Sequence, residues 1–239
     1  MARGTRRVMC ASTGNVAVSL AIGPAAAGKQ AINFVSSNVA DSKLRLMLEA
    51  RAVAIKVRQG YEAAFRLWRL AVREFGWIDR NTGVNPVTVE AKKTVALEIW
   101  EQLQREVPDV VVVPVGDATT LNGAATGFRE LLACGVAERM ARLIGVQAEG
   151  CQPIERAWET GGRVRPVSPA TMANGIAGSM PVSGGQAVPD VVSSSGAFVS
   201  VGDDQMLEAM HTFAARAGVI AEPAAGAALA GARVASLTA

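Results

Sequence analysis

The sequence has 239 residues, half of them apolar, with 24 basic and 21 acidic side chains and a net charge of +3. That length and apolar share suffice for one large core or two small ones and exclude a disordered chain. The small net charge, with aromatic residues scattered rather than set among arginines, gives no platform for nucleic acid, and no uninterrupted apolar run reaches the roughly 18 residues of a membrane span.

In chain order, the start invites a targeting reading, because Arg3, Arg6 and Arg7 precede the apolar stretch Val16 to Ala27 and no acid occurs before Asp41. Ser12 to Asn15 interrupt that stretch, and Gly23 with Pro24 would break a targeting helix, so a folded reading is preferred. Arg7 to Ala11 is β-prone, Ser12-Thr13-Gly14-Asn15 is turn chemistry, and Val16 to Ala27 is helical in composition up to Gly28. A strand over Ala31 to Val35, a helix over Asp41 to Ala50 capped by Asp41, and a strand over Ala52 to Val57 follow.

Tyr61, Phe65, Trp68, Val72 and Phe75 recur at helical spacing before Gly76, which predicts a helix laying an aromatic stripe on a core. Eight basic residues against Glu49 and Glu62 between Lys43 and Arg73 are read as solvated helix faces. A helix is expected from Thr88 to Val107, with Val95, Ile99 and Leu103 on one face and Pro108 ending it. Val110 to Val113 is the most buried-looking segment, typical of a parallel strand covered on both faces.

Leu143 to Ala148, Phe198 to Val201 and Val219 to Ala221 are further strand candidates, with a helix from Asp204. Thr160 to Gly196, rich in Gly, Ser and Pro, is expected as ordered loop anchored by Ile176, Met180, Val188 and Val191. The alternation predicts an α/β fold of parallel sheets with flanking helices. Cys10, Cys134 and Cys151 are far apart and odd in number, which points to neither a disulfide framework nor a paired metal motif and fits a reducing, cytoplasmic compartment. His211, the single histidine, falls within a helical pattern as a packed or surface residue.

Two small-residue loops join a strand to a helix: Ser12-Thr13-Gly14-Asn15 and Gly116-Asp117-Ala118-Thr119-Thr120. First-turn amides without an internal partner and the positive end of the helix dipole make such loops anion sites, one for a carboxylate and one for a phosphate.

With their flanks these loops carry a resemblance. Cys10 to Asn15 resembles the substrate loop of threonine synthases, and Asn85-Pro86-Val87-Thr88-Val89-Glu90 with Lys93-Thr94 resembles the family's segment before a long helix. Val113-Pro114-Val115-Gly116-Asp117 is similar to its phosphate loop, Ile144 to Gly150 to a following strand, and Glu222-Pro223-Ala224 to a late helix entry, all in the family's order.

The resemblance implies a pyridoxal-phosphate enzyme of fold type II, partial in extent: a smaller substrate-loop domain over residues 1–80 and an incomplete larger cofactor-phosphate domain over 81–239. It implies that Asn15 faces the cofactor's ring hydroxyl and that Ser12 and Thr13 hold the substrate carboxylate. The cradle for the cofactor phosphate would be Gly116, Asp117, Ala118, Thr119 and Thr120, and the two loops would lie near one another. The family reaction converts O-phosphohomoserine, a small phosphorylated amino acid, and water to threonine and phosphate.

Departures from the family pattern set further expectations. The Schiff-base lysine belongs to an Asn-Pro-Thr-Gly-Ser-Phe-Lys type motif upstream of the substrate loop, and Lys29, Lys43, Lys56, Lys92 and Lys93 do not stand in one. The family's last strand would lie beyond Ala239. Thr119 is expected to crowd the phosphate, and Pro24 falls inside a helix. The chain alone is therefore expected to be inactive; the alternative is a non-catalytic truncated paralogue, or one part of a split enzyme, that binds a small anion or a partner chain. Exposed sheet edges would favour a homo-oligomer.

Overall fold

The computed structural model describes residues 7–237. Arg3 and Arg6 of the targeting reading lie outside them, and no described helix is long and apolar enough to cross a membrane. The chain divides into two compact units, one ending at Thr88 and the other starting at Val89.

In the first unit, β1 (Arg7–Ala11), β2 (Gln30–Ser36), β3 (Val53–Val57) and β4 (Ile78–Asp79) form a parallel sheet in the order β3-β2-β1-β4. Alternate residues of β1 serve opposite faces, as the pleat requires. Val8 and Cys10 pack with Ala17 and Leu20 of α1 (Asn15–Ala26) and Met47 of α2 (Asp41–Glu49). Met9 and Ala11 pack with Ala64, Trp68 and Ala71 of α3 (Gly60–Phe75). Both faces are apolar because both are covered. The order in which strands are added reverses at β1, so the loops following β1 and β4 meet at a topological switch point, the usual place for a ligand in such sheets.

Two details differ from expectation here, and a third, Pro24, is as expected. Asp41 is the first helical residue and Ala40 the cap position, where no side chain caps the helix. The stripe on α3 is narrower than its spacing suggests: Trp68 is 2% exposed, whereas Tyr61 and Phe75 at the helix ends are exposed. Pro24 lies in the last turn of α1, where the N–H it lacks would have bonded Leu20, and the helix ends at Ala26 with Gly28 at φ +66°.

In the second unit β5 (Val110–Pro114), β6 (Arg142–Ala148) and β7 (Ala197–Val201) form a parallel sheet in that order. One face packs against α5 (Thr94–Gln102), α6 (Thr119–Ala133), α7 (Pro153–Thr160) and α8 (Gly184–Ser193) around Phe128, Leu143 and Ile154. The other packs against α9 (Asp203–Ala217) and α10 (Pro223–Leu237) around Ile144, Val146 and Met206. The small face of α10 allows contact so close that a Cβ on Gly231 would meet Val146 Cγ2 at 2.3 Å.

The most buried strand is β6, not the valine run of β5: β6 is bonded on both sides, while β5 is an edge of this sheet and Val110 is exposed. Val219 to Ala221 form no strand, and Ile220 is 95% exposed. The expected Thr88 to Val107 helix is two helices, α4 (Pro86–Lys92) and α5, because residues 92–93 press onto α6 at Gly123 and Gly127, where a Cβ would meet Lys92 Cβ and Lys93 O at 2.6 Å. It ends at Gln102 as Gln104 and Arg105 turn to positive φ, and its buried residue is Ala96, with Val95 and Leu103 exposed. Within the stretch expected as loop, α8 is a helix missed by composition; Ile176 and Val191 do anchor it, but Met180 is exposed.

Candidate functional site

In the first unit the turn after β1 is held by polar groups buried beneath it. The Ser12 N–H donates to Phe34 O at 3.1 Å, the Gly14 N–H to Ser12 Oγ at 3.3 Å, and Gly14 is the cap position with Asn15 opening α1. Fully buried Asn33 donates from Nδ2 to Ala17 O at 2.9 Å and accepts from Cys10 Sγ at 3.4 Å. The Ala11 N–H reaches Asn81 Oδ1 at 3.3 Å, and Asp79 accepts from the Asn81 N–H at 2.7 Å, tying the two switch-point loops together. Burial, with Asp79 nearby, pushes the Cys10 thiol up to about 12, so it stays protonated and inert. Ser12 and Thr13 are half-buried and Asn15 exposed.

In the second unit Gly116 to Thr120 make the turn from β5 into α6. A Cβ on Gly116 would lie 2.9 Å from Ile176 Cα, and one on Gly178 would lie 3.2 Å from the Gly116 carbonyl, so the 175–178 segment closes down on this turn in a way only glycine allows. The Val182 N–H donates to Asp117 Oδ1 at 2.9 Å. Burial raises the Asp117 carboxyl to about 6, against the Val182 N–H and the Lys92 charge. Thr120 Oγ1 accepts from Lys92 Nζ at 3.2 Å.

Asn122, 4% exposed, donates from Nδ2 to Ser183 O at 3.0 Å, while its Oδ1 is buried without a partner. Behind the turn, fully buried Gln147 accepts the Ile154 and Glu155 N–H groups at 2.9 and 3.0 Å and donates to Val115 O at 3.3 Å.

The strained position of this turn is Ala118, at φ +65°, and Thr119 is the first residue of α6. A left-handed alanine costs about 1 kcal/mol relative to glycine. Ala118→Gly is expected to raise stability by about that amount in urea denaturation.

The groups present fit a phosphate monoester at the 116–120 turn: first-turn amides of α6, a lysine amine, a glycine-only close approach and an orphaned amide oxygen. Sequence reading included the turn itself but missed Lys92, Asn122 and the glycines of 175–178, and below the other turn Asn33 and Asn81. Polar residues in apolar surroundings were the available signal for Asn33, Asn122 and Gln147.

The family model described as pyridoxal-phosphate dependent enzyme matches residues 2–238. The chain is 33% identical over 233 residues to the threonine synthase of Methanocaldococcus jannaschii, covering 95% of this chain and 57% of that protein. It is 34% identical to that of Mycobacterium leprae, over 97% and 62% respectively. It thus spans about three fifths of the curated relatives it matches.

Among solved structures, a fungal L-serine ammonia-lyase from Rhizomucor miehei superposes with a TM-score of 0.86 at 20% identity, over 99% of this chain and 73% of that one. Maize serine racemase gives 0.80 at 20% identity, over 96% and 66%. At that identity these two show the α/β fold alone. The chain belongs to the family of pyridoxal-phosphate dependent enzymes.

Proposed function

We propose that this chain is the part of a threonine-synthase-type enzyme that seats the cofactor phosphate and the substrate carboxylate. The observation that carries the reading is the Gly116 to Thr120 turn, pinned under Gly178 and supplied with a lysine amine, in a chain one third identical to threonine synthases. When bound, pyridoxal phosphate supplies the electron sink for phosphate elimination from O-phosphohomoserine and water addition. The amides of Thr119 and Thr120 would hold its phosphate, Ser12 and Thr13 the substrate carboxylate, and Asn15 the ring hydroxyl. Three free thiols accord with a reducing, cytoplasmic setting.

None of the five lysines stands in the family's Schiff-base motif. A second reading takes this chain as a non-catalytic relative, or as one that works with a complementing chain. The test is to incubate the chain with pyridoxal phosphate, reduce with borohydride, map modified lysines by mass spectrometry and assay phosphate release from O-phosphohomoserine. Weak noncovalent binding, no stoichiometric label and no turnover are expected, since phosphate binding does not replace the missing amine. One stoichiometrically labelled lysine whose replacement abolishes turnover would overturn the inactivity expected of the isolated chain.

A further inference from the structure

We propose that Lys92 is the fixed cation of the 116–120 turn, placed to neutralise a phosphate monoester seated on the first turn of α6. The inference rests on the reading of that turn as the phosphate cradle and adds the residue that sets its affinity. Position comes first. The break between α4 and α5 presses residue 92 onto α6, where Gly123 leaves only 2.6 Å between its would-be Cβ and Lys92 Cβ. The Lys92 stem is thereby fixed beside the turn, and its Nζ meets Thr120 Oγ1 at 3.2 Å.

Charge balance points the same way. Burial lowers the Lys92 pKa, and the opposing pull comes from Asp117, whose own carboxyl burial raises to about 6. Neither group is well compensated by the other, so the amine has capacity for an incoming anion. Its neighbour Lys93 makes the contrast: it pairs with Glu130 at 2.8 Å and with Glu90, and those acids hold it fully charged.

A third observation is Asn122, on the same side of α6 as Thr119 three residues earlier. Side chains on a helix lean toward its N-terminus, so the orphaned, buried Oδ1 of Asn122 leans toward the turn. An acceptor so placed can take an N–H or O–H of a water or ligand held at the turn.

The test uses pyridoxine 5′-phosphate, whose alcohol in place of the aldehyde prevents any covalent bond to lysine, and pyridoxine as its phosphate-free control. Calorimetric titration of the full chain is expected to show that Lys92→Gln weakens pyridoxine 5′-phosphate by about tenfold or more, with pyridoxine binding unchanged. Lys92→Arg retains most of the affinity, and Lys93→Gln changes it by less than about twofold. Lys92→Met, which keeps the packed stem, is expected to match Lys92→Gln and separates loss of charge from loss of fold, checked by thermal melts. Equal binding by wild type and the folded Lys92→Gln and Lys92→Met variants would overturn the role of Lys92 while leaving the cradle in place. A folded wild type that binds no pyridoxine 5′-phosphate would overturn both.

Discussion

Gly196→Ala is expected to destabilise the second unit by at least about 3 kcal/mol, the upper range for overpacking a tight core. Gly196 directly precedes β7, and a Cβ there would sit 1.9 Å from Leu143 O and 3.0 Å from Ser194 Oγ. Neither atom is free to retreat. Leu143 belongs to β6, the strand bonded on both sides, and its N–H donates to Ser194 Oγ at 3.1 Å. Relief requires β7 to pull away from β6, which loosens the Gly145–Phe198 and Val146–Val199 pairings. Gly185→Ala is the control, since nothing lies within 4 Å of its would-be Cβ. Its helical position predicts unchanged or slightly raised stability, by up to about 1 kcal/mol. Urea denaturation of the pair should show shifts of opposite sign, or a shift only for Gly196→Ala.

Gln147→Leu should cost about 3 kcal/mol although volume is nearly conserved, because the loss is polar. The side chain stands between three main-chain groups in a fully buried place, accepting the first amides of α7 and donating to the Val115 carbonyl. Leucine leaves two donors and one acceptor without water or partner. Because Val115 precedes Gly116, the turn loses its backing as well, so affinity for pyridoxine 5′-phosphate should fall with stability. Gln147→Glu is informative beside it: its oxygens can still accept both amides, but a carboxylate buried here sets its second oxygen against the Val115 carbonyl and carries the cost of a desolvated charge, so it should be at least as damaging. Denaturation midpoints of both variants should fall well below wild type. Equal stability of Gln147→Leu and wild type would show that the three hydrogen bonds carry no net weight.

The fold class was legible because parallel strands covered on both faces read as apolar runs, and the runs at 31–35, 52–57, 143–148 and 198–201 all became strands, to within a residue at their ends. Which strand is central was not legible. The four valines of β5 are more β-prone than Arg142 to Ala148, but centrality is a matter of neighbours, and neighbours are set by the whole sheet. The false strand at Val219 to Ala221 has the same origin, since local apolarity says nothing about whether a partner strand is available.

The turns after β1 and β5 were legible from Ser, Thr, Gly and Asn after a strand, since that chemistry is local. Lys92 was set aside with the other lysines as standing outside the Schiff-base motif, because what singles it out is a close approach to glycines some thirty residues later. The strain at Ala118 was not legible, because sequence shows residue sizes and not which φ is positive.

The switch-point geometry of the first unit bears on the order in which this unit forms and opens. β1 acquires β2, and β2 acquires β3, through short local crossovers, but the other neighbour of β1, β4, arrives some seventy residues later and contributes only two residues of pairing. The long loop this closes is entropically the most expensive of the sheet. Its compensation comes from the polar ties of Asn81 and Asp79 together with the packing of Trp77 and half-buried Ile78. β4 is thus the last piece to dock and the first to detach, in a partial opening that leaves the β1-β2-β3 core intact and exchanges the Ala11 amide with solvent. The turn carrying Ser12 and Thr13 therefore sits at the border between the slow-exchanging and fast-exchanging parts of its own sheet.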